Sequence, residues 1–164
     1  MIRPVFRAIV LSLSLAAAAT AAPVLAAWPP WLSIESPVNP FDASTRGATL
    51  LVRTAMREGV SKLGDLTGSA EGLVGGARRS IPLRFDATSV PGVFALRPQW
   101  PTDGAWLLRI TLQEHTTALV TLDRSGMVAS VRVPTKAQAS GGPQIPRDVG
   151  MREIDSTLTA IGGK

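Results

Sequence analysis

The sequence contains no cysteine, no tyrosine and a single histidine, His115, among 164 residues. Each absence removes a class of chemistry. Without cysteine there is no disulfide, thiol nucleophile, Cys-ligated zinc or iron–sulfur cluster, or thioether-attached haem. With one histidine, any Ser-His-Asp arrangement must run through His115. The spacings of common catalytic motifs are missing as well: there is no Gly-x-Ser-x-Gly, Ser-x-x-Lys, His-Glu-x-x-His, Asp-x-Asp calcium loop or phosphate-binding Gly-rich loop. Carboxylate pairs such as Asp65 with Glu71, and Asp148 with Glu153 and Asp155, fall in expected turns or in the C-terminal segment, where solvation is the default. No enzymatic activity and no cofactor or metal are expected.

The N-terminus carries the three parts of a secretory signal. A basic start with Arg3 and Arg7 is followed by an apolar stretch from Ala8 to about Ala22 and a small-residue end at Val24-Leu25-Ala26. Cleavage is expected after Ala26, because a cut after Ala22 would place Pro23 directly downstream. The alternative is an uncleaved anchor over residues 8–27, long enough to span a bilayer. Ser12, Ser14, Thr20 and Pro23 favour the cleaved signal. Removing residues 1–26 takes Arg3 and Arg7 with it and lowers the net charge from +5 to +3. A mild excess spread over a domain is not a nucleic-acid footprint, which needs clustered cations and aromatic platforms. The expected location is periplasmic or secreted, with membrane contact only if the N-terminal segment is retained.

From Trp31 to Val133 short β-favouring runs alternate with Gly, Pro and Asp turns. Strands are predicted at Trp31–Glu35, Ala48–Ala55, Leu66–Leu73, Ala77–Phe85, Val93–Arg97, Trp106–Leu112, Ala118–Leu122 and Val128–Val133. Val90-Pro91-Gly92-Val93 fits a type II turn, while Gly75-Gly76, Asp103-Gly104 and Asp123-Arg124-Ser125-Gly126 are hairpin signals. This pattern predicts an all-β, immunoglobulin-like antiparallel β-sandwich of about seven to eight strands over residues 27–133. Period-2 alternation assigns to the core Ile81, Leu83 and Phe85; Trp106, Leu108, Ile110 and Leu112; and Met127, Ala129, Val131 and Val133. Trp31 is expected to join them, with Trp100 covering one end. Pro82 cannot donate to a ladder, so its strand is expected at a sheet edge.

Residues 134–164 change character. Pro134, Pro143, Pro146, Gly141, Gly142 and Gly150 among Ser, Gln and Ala read as a flexible tail that does not pack. Within it, residues 148–161 fit a short amphipathic helix, with Met151, Ile154, Leu158 and Ile161 at spacings of three and four. So short a helix is marginal alone. It either docks, on a partner or on its own domain, or frays, and a chain ending before Pro134 is expected to melt as the whole does.

The surface offers one pattern. If the parities hold, Arg84, Arg97, Arg109 and Arg132 each project outward from a different strand; Arg53 joins them if Leu50 and Val52, rather than Leu51, are buried. Together they would form a mixed Arg/aliphatic patch for an anionic surface, with Leu107 and Val128 as its apolar members. Trp100 and Trp106 bracket a turn and would serve as a carbohydrate platform if exposed. His115, in Gln113-Glu114-His115-Thr116-Thr117, is expected in a polar turn between two strands.

Pro91-Gly92-Val93-Phe94-Ala95-Leu96-Arg97-Pro98-Gln99-Trp100-Pro101-Thr102-Asp103-Gly104-Ala105-Trp106-Leu107-Leu108-Arg109-Ile110 resembles a run found in YtkA-like and FixH-like domains, which are extracytoplasmic immunoglobulin-like sandwiches. The resemblance implies that Gly104 and Trp106 mark a hairpin whose Trp fills the core. It does not extend to copper ligands, because this chain has one His and scattered Met. The FixH-like context, a membrane-anchored accessory, would fit only the anchor alternative.

The sequence therefore points to an exported, non-catalytic binding or accessory module of the bacterial cell envelope, with an envelope protein or an anionic surface as partner. The alternatives are a membrane-tethered accessory subunit with residues 8–27 retained, or a carbohydrate-binding module. Mass spectrometry of the chain from an envelope extract should find it starting at Ala27; a chain retaining Met1 in the membrane fraction would establish the anchor instead.

Overall fold

The computed structural model describes residues 30–55 and 65–163; the signal segment and the anchor alternative lie outside them. Eleven strands are present among the described residues: β1 (Trp31–Glu35), β2 (Leu50–Ala55), β3 (Leu66–Val74), β4 (Ala77–Pro82), β5 (Asp86–Ala87), β6 (Val93–Leu96), β7 (Ala105–Leu112), β8 (Thr116–Leu122), β9 (Val128–Arg132), β10 (Thr135–Lys136) and β11 (Ile145–Pro146), followed by the helix α1 (Met151–Gly162).

Two antiparallel sheets carry the fold, a four-stranded one ordered β1-β2-β6-β5 and a five-stranded one ordered β4-β3-β7-β8-β9. An immunoglobulin sandwich places strands A, B, E and D on one sheet and C, F and G on the other, with C′ beside C when present. In chain order, β1, β2, β6 and β5 take the A, B, E and D places, and β4, β3, β7 and β8 those of C′, C, F and G. The expected sandwich is therefore realised, with β9 added beside β8.

Side-chain alternation explains the interior. Leu50, Val52, Phe94 and Leu96 from one sheet meet Ala70, Trp106, Leu108, Ile110, Leu112, Ala118 and Val120 from the other, all buried. The β7 parity is as the sequence predicts. Leu51 is buried too, on the other face of β2, where Val38 and Ala48 of the β1–β2 loop cover it with Val93 and Ala95. A strand covered on both faces reads as a continuous apolar run, and Leu50-Leu51-Val52 does.

Two glycines are set by close approach. Gly72 lies opposite Trp106, and a Cβ there would stand 2.5 Å from the indole ring. Gly104, with φ +90°, turns the chain into β7, and a Cβ on it would meet the Leu73 carbonyl at 2.8 Å. Trp106 thus fills the core over a glycine floor, but Asp103-Gly104 does not close the hairpin expected there: β6 before it lies in the four-stranded sheet and β7 after it in the five-stranded one, so the turn carries the chain between sheets. At the other turn, Gly92 has φ +73° and the Val93 N–H donates to the Val90 carbonyl at 3.1 Å, as a type II turn requires.

Four further expectations are corrected. The strand foreseen over residues 77–85 ends at Pro82, which pairs with Ser69 at the edge of the five-stranded sheet. Pro82 offers no N–H, and the chain crosses through buried Leu83 and Phe85 to form β5 on the other sheet. Trp31 is 55% exposed, because period 2 turns Leu32 into the core instead. The set Met127, Ala129, Val131 and Val133 does not form core: a register shift at Thr121/Leu122 sets Val128 opposite Leu122, and Val128 packs on the interior. Beyond the shift Val131 faces the same way as Val120 but stays 44% exposed on the free edge strand.

The fourth correction concerns the C-terminal segment. Residues expected to trail in solvent first form the β10–β11 ribbon, closed by the Arg147 N–H donating to the Pro134 carbonyl at 3.0 Å. They then form α1, whose Ile154 and Leu158 are buried with Val149 against Leu107 and Leu119 on the outer face of the five-stranded sheet. Its N-cap is Gly150, which supplies no side-chain cap, so tertiary packing must supply the stability that the isolated helix lacks. Each of these buried aliphatics contributes roughly 1.5–3 kcal/mol relative to exposure. Replacing Leu158 by Ala should cost about 2–5 kcal/mol in a denaturant melt, and a chain ending at Val133 should melt well below the full chain. A truncated chain with an unchanged midpoint would show that α1 contributes nothing to the fold.

Candidate functional site

The four arginines singled out from sequence project outward in two separate groups rather than one patch. Arg109 and Arg132 lie on the outer face of the five-stranded sheet, each opposite Leu119 in the cross-strand register. Arg84 and Arg97 lie beside the β4 and β5 edges, near Asp86 and Gln99. Arg53 also projects outward, since Leu50 and Val52 are the core residues, and it pairs with Glu35 at 2.6 Å.

The first group is spent on holding the C-terminal segment. Arg109 meets Asp148 at 3.3 Å and Arg132 meets Glu153 at 2.8 Å. Arg147 grips the same Glu153 carboxylate through both terminal nitrogens, at 2.8 and 3.1 Å. Nearby, Arg78 bridges Glu71, at 3.1 Å, to Asp155 of α1. Glu71 is only 6% exposed, and its carboxylate also accepts from Ser69 at 2.6 Å and Ser80 at 2.9 Å. A buried carboxylate is tolerated when its lone pairs are satisfied in this way.

Environment sets the protonation of these groups. Burial raises the Glu71 carboxyl, but hydrogen bonds from Ser69, Arg78 and Ser80 and the Arg78 charge outweigh it, so its pKa lies below the ordinary glutamate value. The Arg147 hydrogen bonds, and then the charges of Arg147 and Arg132, hold Glu153 below it as well. Both groups are charged at neutral pH and act as anchors rather than as proton donors.

The second group fastens loops. Arg97 donates to Asp86 and to the carbonyls of Ser44, at 3.1 Å, and Arg46, at 3.3 Å. The Arg84 peptide is clamped by Gln99, whose side chain accepts from its N–H at 2.8 Å and donates to its carbonyl at 2.7 Å. Trp100 is 8% exposed and Trp106 3%, and the Trp106 Nε1–H donates to the Asp103 carbonyl at 2.9 Å. Neither indole presents the open face that sugar stacking needs.

His115 is exposed in the β7–β8 turn, where Gln113 and Glu114 adopt φ of 50° and 59°. Among the described residues no group of three or more His, Asp or Glu side chains is placed to hold a metal ion. The Arg109 Nε is buried without a partner, beside a hollow lined by Thr67, Ser69, Thr111, Glu114 and Asp148. Two carboxylates in that hollow deny it the character of an anion site.

Sequence reasoning missed Glu71, Arg78, Arg147 and the acidic residues of the C-terminal segment as partners of the sheet arginines. One signal was available. Asp148, Glu153 and Asp155 flank an apolar stripe, which is the pattern of a helix seated on a cationic sheet face. Large apolar side chains also stand outward on ordered backbone: Phe41 is 91% exposed, Val90 52%, Met127 49% and Met151 56%, beside Trp31 and Val131.

Comparison of the chain with known protein families, curated proteins and solved structures returns no match.

The carboxylate anchors make stability pH-dependent. Because the folded state binds these protons more weakly than the unfolded chain does, acidification favours unfolding. The melting temperature should be level at neutral pH and fall as pH drops through 4.5, the ordinary glutamate value, and below. Glu71→Gln should be less stable than wild type at pH 7 and should show a shallower acid decline. Parallel curves for the two proteins in thermal melts from pH 7 to pH 3 would remove Glu71 from the account.

Proposed function

We propose that this chain is an exported, non-catalytic binding or accessory module of the bacterial cell envelope. The observation that carries the reading is a division of labour among side chains. Among the described residues Arg53, Arg78, Arg97, Arg109, Arg132 and Arg147 are held in intrachain ion pairs, whereas Phe41, Trp31 and Val131 stand in solvent on backbone fixed by hydrogen bonds or strand pairing. Large apolar groups held outward in this way gain free energy only when something covers them.

Three further features support the reading. Residues 1–26 have the pattern of an export signal. The sandwich is an architecture common among extracytoplasmic domains, and the Pro91–Ile110 run resembles YtkA-like and FixH-like domains. The tethered alternative finds no help from α1, because its apolar stripe is already occupied by Leu107 and Leu119. The carbohydrate alternative needs Trp100 and Trp106 open, and both are buried.

Photo-crosslinking in living cells tests the proposal. A benzophenone amino acid at position 31, 41 or 131 should yield an adduct in the envelope fraction that the same probe at exposed Ser140 does not. Recovery of the chain from the cytosol, or no adduct from any of the three positions, would overturn it.

A further inference from the structure

α1 is a weak helix by its own sequence. Gly150 gives it no side-chain N-cap, and no basic residue in its last turn complements the C-terminal carbonyls. The hydroxyls of Ser156 and Thr157 donate to the Glu153 carbonyl at 2.9 and 2.8 Å, and that of Thr159 to the Asp155 carbonyl at 2.9 Å, a habit that disfavours helix interiors. Its apolar hold on the sandwich is confined to one side, where Ile154 and Leu158, with Val149 just before the helix, cover Leu107 and Leu119. The chain leading to it, residues 134–150, is paired to itself through the two-residue strands β10 and β11. An element held in this way opens locally at lower cost than the core beside it.

The rest of the attachment is ionic. Asp148 meets Arg109 of β7, Glu153 meets Arg132 of β9, and Asp155 meets Arg78 of β4. Arg147 shares Glu153, and Arg78 shares Glu71 of β3; Glu114 lines the hollow that holds Arg109 and Asp148. β8 brings no titratable side chain to the contact. Protonation of the carboxylates therefore cancels three attachments together. It also leaves the guanidinium groups of Arg78, Arg109 and Arg132 beside a segment that itself carries Arg147 and Arg152, with like charges no longer separated by anions. The interior between the two sheets has no such dependence, being built from aliphatic and aromatic side chains.

We propose that α1 is an acid-released strap: as pH falls it leaves the five-stranded sheet and uncovers Leu107 and Leu119 while the sandwich stays folded. Release of this kind does not depend on what the chain binds, so its test is independent of the envelope reading. The direction follows from the docked carboxylates. Glu71 and Glu153 bind protons more weakly than a free glutamate does, so docking is favoured above the ordinary value of 4.5 and weakens as pH falls below it.

Because the chain has no cysteine, Thr157→Cys, and separately the exposed Ala160→Cys, can each carry a single nitroxide on α1. Electron spin resonance then reports the mobility of the helix, and near-UV circular dichroism reports buried Trp100 and Trp106, with no tyrosine to interfere. Between pH 7 and pH 3 the nitroxide lines should narrow at a higher pH than the one at which the near-UV signal is lost. Glu153→Gln in the labelled chains should move the narrowing to higher pH, because less attachment remains for acid to remove. Glu35→Gln, whose partner is Arg53 on the other sheet, should leave it where it is. A single midpoint for both signals, nitroxides that stay immobile until the fold is lost, a Glu153→Gln curve that coincides with wild type, or an equal shift from Glu35→Gln would each overturn the proposal.

Discussion

Leu107 and Leu119 point away from the sandwich core and are nonetheless 0% and 2% exposed. Two large aliphatic side chains on the outer face of a sheet demand a third layer, since leaving them in water forfeits the free energy of burial that a small domain cannot spare. Residues 149–161 supply it. The ribbon after β9 returns the chain, Val149 enters the apolar patch, and Ile154 and Leu158 follow at a helical spacing of four. Much of the outer-face electrostatics is arranged around this contact.

The charges serve registration more than attraction. Exposed ion pairs such as Arg109 with Asp148 contribute little individually. Three acidic residues of the C-terminal segment, Asp148, Glu153 and Asp155, nevertheless each meet a different arginine of the sheet, which fixes where along the face α1 sits. Glu71 and Arg78 stand nearest the interior, and there the stakes are higher, because a carboxylate that is 6% exposed would be costly without Arg78, Ser69 and Ser80.

The arginines expected to form a binding surface are therefore mostly structural, and the surface left for partners is apolar with scattered free cations. The β1–β2 loop shows the pattern in miniature: Arg97 and Asp42 hold its backbone, and Phe41 is left outward.

Much of the sandwich was legible in local patterns. The β7 parity, the turns at Gly92 and Gly104 and the edge position of Pro82 follow from period 2, positive φ and a missing N–H, all properties of single residues or near neighbours. Trp31, β9 and α1 were not legible in that way. Trp31 and Leu32 are both apolar, and only the pairing of β1 with β2 decides which faces inward. In β9 the register shift against β8 decides it, and that belongs to two strands at once. For α1 the amphipathic spacing was visible, but its partner was Leu107 and Leu119, more than 30 positions earlier in the chain. The same holds for the candidate site: outward arginines could be read from alternation, whereas their carboxylate partners lie far along the chain. Local chemistry determined strands, turns and the inward face of β7; contacts between distant segments, which carry no local signature, decided which charges were spent and which side chains were left for a partner.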